Sequence, residues 1–187
     1  VSRLDPQKGF DILEEAMNRI IPLNAGIAIL GTGTREYMDA MERMAARYPQ
    51  QVKIMLKFDI ALSRLVYAGS DGFLMPSRYE PCGLGQMIAM RYGSLPVVHV
   101  TGGLADTVFD LDHDRERGNG FSFDDYTADA LADAVARAVK AFREPGMPRW
   151  KQAMHRGMRT DFSWRLSAEK YVALFQKLRN IPGRSGE

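Results

Sequence analysis

Gly72-Phe73-Leu74-Met75-Pro76-Ser77-Arg78-Tyr79-Glu80-Pro81-Cys82-Gly83-Leu84-Gly85-Gln86 is the stretch on which the fold turns. Its first part reads as a buried strand, and the apolar spacing from Gln86 to Tyr92 reads as a helix. Pro81 ends any regular structure begun before it, and Gly83 and Gly85 let a backbone approach a ligand closely. The loop therefore sits between the carboxyl end of a strand and the amino end of a helix, where a parallel sheet places its ligands. It holds one carboxylate, Glu80, one thiol, Cys82, and the free N–H groups of a helix start. That set suits a ligand with hydroxyls to orient and phosphates to hold.

The same strand–helix alternation extends in both directions. Asp5 caps a helix with Pro6 in its first position, running to about Ile20. Strands are expected at Ile27–Leu30, Val52–Leu56, Phe73–Met75 and Pro96–Val100, and helices at about 35–47, 60–68 and 86–92. This order argues an α/β fold, a Rossmann-like doubly wound parallel sheet with helices on both faces. After Gly118-Asn119-Gly120 the pattern becomes helical. Ala130, Leu131, Ala134, Val135, Ala138, Val139 and Phe142 form one stripe, and two more helices are expected at 149–159 and around Tyr171–Leu178. One domain is expected over 1–180, with a mobile tail over 181–187. Val1-Ser2-Arg3-Leu4 reads as the end of a strand, so the chain is expected to be a fragment of a longer protein.

Composition narrows the function classes. A net charge of +2 gives no basis for bulk attraction to nucleic acid. No apolar run approaches a membrane span. A single cysteine forms no internal disulfide, which fits a reducing compartment. His99, His113 and His155 are too dispersed to suggest a zinc site, and no metal is expected.

Individual residues leave alternatives open. Lys8, placed in the first turn of the expected helix, meets an unfavourable helix dipole. It is either a solvated lysine or, with Arg3 and the helix end, one jaw of a clamp on a diphosphate. Gly31-Thr32-Gly33 lacks the full glycine fingerprint of a dinucleotide loop, so a tight turn beside a ligand is the expected role. Glu80 is a solvated loop acid or a ligand for sugar hydroxyls. Cys82 has no histidine in evident pairing and reads as a small packing residue with a backbone contact. Thr101-Gly102-Gly103 shapes the pocket or simply reverses the chain, and His99 reads as a strand-end residue.

Three motifs in order resemble the bacterial glycogen synthase and plant starch synthase family: Ser2-Arg3-Leu4-Asp5-Pro6-Gln7-Lys8-Gly9, Pro76-Ser77-Arg78-Tyr79-Glu80-Pro81-Cys82-Gly83-Leu84, and Thr101-Gly102-Gly103-Leu104-Ala105-Asp106-Thr107-Val108. The resemblance implies the carboxyl-terminal, nucleotide-sugar-binding domain of a GT-B glycosyltransferase. That family moves glucose from ADP-glucose to the non-reducing end of an α-1,4-glucan with retention, without a metal or other cofactor. It implies that Arg3 and Lys8 hold the donor diphosphate and Glu80 the glucose hydroxyls. Cys82, Gly83, Leu84 and Gly85 would line the sugar and phosphate site, with Gly102 and Gly103 nearby. Phe58 would face the adenine and Tyr126 the ribose or base. Gly85 departs from the threonine of many members. Ile88 stands where sucrose-type and lipid-sugar transferases carry a second glutamate, which favours the synthase branch. The glucan acceptor would be held by an amino-terminal domain absent from this chain. The expected location is cytoplasmic for a bacterial protein and plastid for a plant or algal one. The rival readings are a non-catalytic nucleotide- or glucan-binding module and a nucleotide-dependent oxidoreductase, the latter disfavoured by the broken glycine fingerprint.

Overall fold

The computed structural model describes residues 1–179, so the expected tail over 181–187 lies outside the described residues. The strands are β1 (Ile27–Leu30), β2 (Val52–Met55), β3 (Gly72–Met75), β4 (Leu95–His99) and β5 (Phe121–Phe123). The helices are α1 (Phe10–Ile20), α2 (Arg35–Arg47), α3 (Ile60–Gly69), α4 (Gly85–Tyr92), α5 (Gly102–Thr107), α6 (Ala128–Arg143), α7 (Pro148–Arg159) and α8 (Trp164–Arg179).

Every strand pairing is parallel, as strands joined by helical crossovers must be. Alternation along the strands sends apolar residues to two helical layers. Leu74 and Val97 pack with α1 and α6, whereas Phe73 packs with Tyr67 of α3 and Ala89 of α4, and Val98 with Leu104 of α5. β4 is buried along its whole length, which explains its unbroken apolar run. The α6 stripe read from the sequence is the face that enters the core, where Leu131, Ala134, Val135 and Ala138 are buried. On α8, the rings of Trp164, Tyr171 and Phe175 meet in succession at tilted angles, and no residue of the helix is buried.

Four features differ from the sequence reading. The helix expected from Pro6 to Ile20 is two elements. A 3-10 turn spans Pro6–Lys8, and Gly9, with φ of 76°, breaks the chain before α1. Asp5 caps the turn by accepting from the Gln7 N–H at 3.0 Å. Lys8 therefore lies at the carboxyl end of a turn, where a cation is favoured. The Thr101 glycine turn opens a short helix, α5. Phe121-Ser122-Phe123 adds a strand after the glycine cluster. Finally, the strands form two sheets, β1–β2 and β3–β4–β5. Among the described residues no helix is long and apolar enough to cross a membrane.

Gly31 and Gly33 answer to packing. A Cβ on either would overlap the backbone carbonyl of Ser2 or Leu4. The Ser2 N–H donates to Leu30 O at 3.0 Å and the Leu4 N–H to Thr32 O at 2.9 Å. The two glycines thus let the first residues lie against the end of β1 and bring Arg3 and Lys8 to the carboxyl edge of the strands.

Candidate active site

Residues far apart in sequence meet where β3 ends. The Lys8 ammonium donates to Glu80 Oε2 at 2.6 Å, with only 17% and 10% of the two side chains exposed. Each charge offsets the desolvation of the other, which permits both to be largely buried. The buried Ser77 hydroxyl donates to the same oxygen at 3.3 Å. Ser77 O lies 2.8 Å from Nδ1 of His99, whose Nε2 lies 3.1 Å from Asp124 O. His99 is thus the strand-end residue expected, and it ties the end of β4 to the segment carrying Glu80.

The loop from Glu80 to Leu84 is held from behind by backbone. The Gly103 N–H reaches Glu80 O at 3.0 Å and Pro81 O at 3.1 Å. A Cβ on Gly102 would overlap Glu80 O, and one on Gly103 would overlap Cys82 O. Gly102 and Gly103 therefore lie beneath the loop and let α5 press against it. Gln86 fastens the other flank. Its amide donates to Cys82 O at 3.3 Å, Gly83 O at 3.1 Å and Thr107 Oγ1 at 3.1 Å. Cys82 and Leu84 face solvent, and α4 begins at Gly85. Leu84 caps α4 without a side-chain hydrogen bond, so the N–H groups of the first turn are available to an anion.

Arg3 stands apart from the pair. Its side chain is 72% exposed, with its guanidinium 3.4 Å from Asp5. Phe58 lies beyond β2 and is 84% exposed, a flat apolar face free for stacking. Asp59 beside it caps α3 through the Leu62 N–H at 2.8 Å. Tyr126 is engaged within the protein. Its hydroxyl donates to Asp11 Oδ1 at 2.7 Å, and Arg78 lies 4.6 Å above its ring. Burial, then the Asp11 hydrogen bond and charge, push the Tyr126 hydroxyl well above its usual pKa. Burial pushes the Asp11 carboxyl upward, but bonds from Tyr126, the Ile12 N–H and Arg78 outweigh it and hold the carboxyl below its usual range.

Sequence reasoning identified Lys8 and Glu80 but not their ion pair, and it missed Ser77 and Gln86. The signal was faint: a serine just past a strand and a glutamine opening a helix. Among the described residues no group of three or more His, Cys, Asp or Glu side chains is placed to hold a metal ion.

A carboxylate at a strand end, an amine against it and free N–H groups at a helix start are equipped to bind a hydroxylated, phosphorylated ligand. The glycosyl transferases group 1 family matches residues 1–145. The chain belongs to that family. Among its relatives is the glycogen synthase of Syntrophotalea carbinolica, 50% identical over 177 residues, covering 95% of this chain and 36% of that protein. The glycogen synthase of Geotalea daltonii is 50% identical over 184 residues, covering 98% of this chain and 38% of that protein. The catalytic domain of starch synthase IV from Arabidopsis thaliana, solved bound to ADP and acarbose, superposes with a TM-score of 0.85 at 37% identity, covering 94% of this chain and 37% of that one. This glycosyl transferase chain therefore spans just over a third of the length of these relatives, and its Rossmann-like α/β fold is that of GT-B enzymes.

Proposed function

We propose that this chain is the donor-binding domain of a retaining glucosyltransferase that moves glucose from ADP-glucose to the non-reducing end of an α-1,4-glucan. The observation that carries this reading is the Lys8–Glu80 pair at the carboxyl end of β3, beside the start of α4. A diphosphate there meets the Lys8 ammonium and the first N–H groups of α4, with Arg3 within the same edge of the sheet. Glu80 is left to accept hydrogen bonds from sugar hydroxyls. The glycogen synthase relatives and the ADP and acarbose of the starch synthase structure support the nucleotide and the glucan as substrates.

The mechanism follows from charge. As the bond from glucose C1 to the diphosphate lengthens, negative charge grows on the leaving phosphate. Lys8 and the helix N–H groups are a fixed charge and fixed dipoles beside that position, so they stabilise the transition state more than the ground state, and Arg3 would join them by swinging from Asp5. Glu80, braced by Ser77 and Lys8, holds the sugar for attack by the acceptor hydroxyl on the same face. The acceptor is held by a second domain, and no metal takes part. The setting that goes with this reading is the cytoplasm in a bacterium, or the plastid in a plant or alga.

Titration calorimetry of this chain with ADP, ADP-glucose, UDP and adenosine tests the donor assignment, and a glucan-elongation assay tests the division of labour. The expected result is weak binding of ADP and ADP-glucose with no elongation. Failure to bind any adenine nucleotide overturns the donor assignment. Elongation by this chain alone overturns the two-domain reading. Donor binding by the chain, with no elongation even by a longer chain that includes the second domain, would favour a non-catalytic binding module.

A further inference from the structure

Gln86 lies in the first turn of α4 and is completely buried, behind a loop otherwise held by backbone groups. Thr107 of α5 fixes which way its amide faces. The Thr107 hydroxyl gives its one proton to Gly103 O at 2.6 Å, so toward Gln86 it can only accept, and the group 3.1 Å away is the NH2. The same NH2 faces Cys82 O at 3.3 Å and Gly83 O at 3.1 Å. Gln86 Oε1 is then left buried with no hydrogen-bond partner among the described residues. An oxygen in that position costs stability that a methionine of similar shape would not. Gln86 is therefore a poor filler of the core, and its contribution lies in what the NH2 holds.

Those two carbonyls decide where two N–H groups point. In a trans peptide the N–H lies opposite the C=O. Holding Cys82 O and Gly83 O toward Gln86 thus turns the N–H groups of Gly83 and Leu84 away from it. Gly83 is left-handed, with φ of 72°, and Leu84 is right-handed, with φ of −113° and ψ of −26°. A turn of this kind brings successive N–H groups onto one side as a nest for an anion. Among the described residues no backbone carbonyl accepts from either N–H. Glycine is also the residue whose flanking peptide planes rotate most freely. Gln86 bonds to the carbonyl on each side of Gly83, and so restrains both planes at once.

We propose that Gln86 is a positioning residue for phosphate recognition: by restraining the peptide planes on either side of Gly83 it keeps the Gly83 and Leu84 N–H groups aimed at an anion, and Thr107 keeps Gln86 aimed at the loop. This rests on the reading of the site as the holder of a nucleoside diphosphate. Gln86 touches no ligand itself. Its effect is preorganisation, because N–H groups already turned outward need no rearrangement when charge develops on a phosphate oxygen beside them. Without it the planes on either side of Gly83 could rotate, and each rotation would replace an N–H at the phosphate by a carbonyl oxygen of the wrong sign. Loss of Gln86 should therefore act on the phosphate part of a ligand and spare the rest.

The test titrates this chain and its variants with inorganic pyrophosphate, ADP and adenosine. Gln86→Met keeps the length of the side chain and removes its hydrogen bonds. Thr107→Val removes the acceptor that aims the amide, and Thr107→Ser keeps it. Calorimetry reads affinity, and the amide NMR spectrum reads Gly83 and Leu84. Pyrophosphate is expected to shift both amides in the parent chain. Gln86→Met should weaken pyrophosphate and ADP by about tenfold or more, the scale of a charged hydrogen bond, and leave adenosine unaffected. Thr107→Val should lose affinity in the same direction, and Thr107→Ser should recover it. Amides unmoved by pyrophosphate in the parent, unchanged phosphate affinity in Gln86→Met, or an equal loss for adenosine overturns the proposal, since a general fault in folding does not single out phosphate. Should Gln86→Met fail to fold, the Thr107 pair decides, and Val equal to Ser overturns it. The donor reading fails separately: Gln86-dependent binding of pyrophosphate at these amides with no preference for an adenine nucleotide upholds the positioning role and overturns the ADP-glucose assignment.

Discussion

Glu80→Gln separates the carboxylate's charge from its shape. Gln keeps the volume and can still accept from Ser77 and Lys8, so the loss is the charge of one pair. The Lys8–Glu80 distance is 2.6 Å, and the side chains are 17% and 10% exposed. Exposed pairs contribute about 0–1 kcal/mol, and removing one partner of a fully buried pair costs about 3–5 kcal/mol. A partly buried pair replaced by an isosteric amide should lose about 1–2 kcal/mol. At about 2–4 °C per kcal/mol for a chain of this size, Tm should fall by roughly 2–8 °C. A pocket carboxylate is commonly expected to be neutral for stability until its ligand binds, and here the amine against it makes the difference. ADP should bind at least as tightly as to the parent, because Lys8 no longer divides its charge between Glu80 and the diphosphate. In an enzyme carrying both domains, turnover should fall about a hundredfold or more, about 2.7 kcal/mol of lost transition-state stabilisation. Calorimetry with ADP, thermal unfolding and turnover on one preparation decide the matter. Near-normal turnover would refute the sugar contact, and a tenfold loss of ADP affinity at unchanged Tm would refute the ion-pair argument.

Lys8→Ala should weaken ADP by roughly 1.5–3 kcal/mol, the scale of a charged hydrogen bond, and adenosine hardly at all, and calorimetry distinguishes the two. Gly103→Ala should destabilise by about 1–3 kcal/mol in urea and weaken ADP-glucose binding, because the new methyl group must displace the Cys82 carbonyl. Asp110 predicts acid behaviour. Burial pushes its carboxyl up, but bonds from the Ser122 and Asp112 N–H groups and Arg137 prevail and hold it below the usual range. The folded protein therefore binds fewer protons there than the unfolded chain. This contribution is complete above the ordinary carboxylate pKa and is lost as pH falls through the lowered one. Asp110→Asn should lower stability at pH 7 by about 3 kcal/mol, leaving Arg137 half-paired, and should flatten the acid limb of a stability profile.

Periodicity carried most of the fold. α2 and α6 show the 3.6-residue stripe, and β1 to β4 are short apolar runs between turn residues, so each announces itself locally. The elements that escaped are those whose formation is decided elsewhere. β5 is three residues long and exists because β4 offers an edge. α5 begins with two glycines, poor helix formers that are there for the loop they touch. Gly9 interrupts a sequence that otherwise reads as a continuous helix. The site was legible as a set of residues and opaque as an arrangement. Lys8 and Glu80 are 72 positions apart, and nothing in local spacing says that they meet. The split of the strands into two sheets is likewise a property of pairing that no single segment carries.

The glycine backing of the loop has a consequence for how the protein can vary. Between Tyr79 and Leu84 the path of the chain is set by carbonyl groups gripped from beneath by Gly103 and Gln86, while Tyr79, Cys82 and Leu84 turn their side chains outward. The scaffold of this loop is thus independent of the side chains on its outer surface. Those positions are open to exchange, one at a time, without reshaping the seat of Glu80. The contour of the pocket rim can drift while the atoms that hold the carboxylate stay where they are.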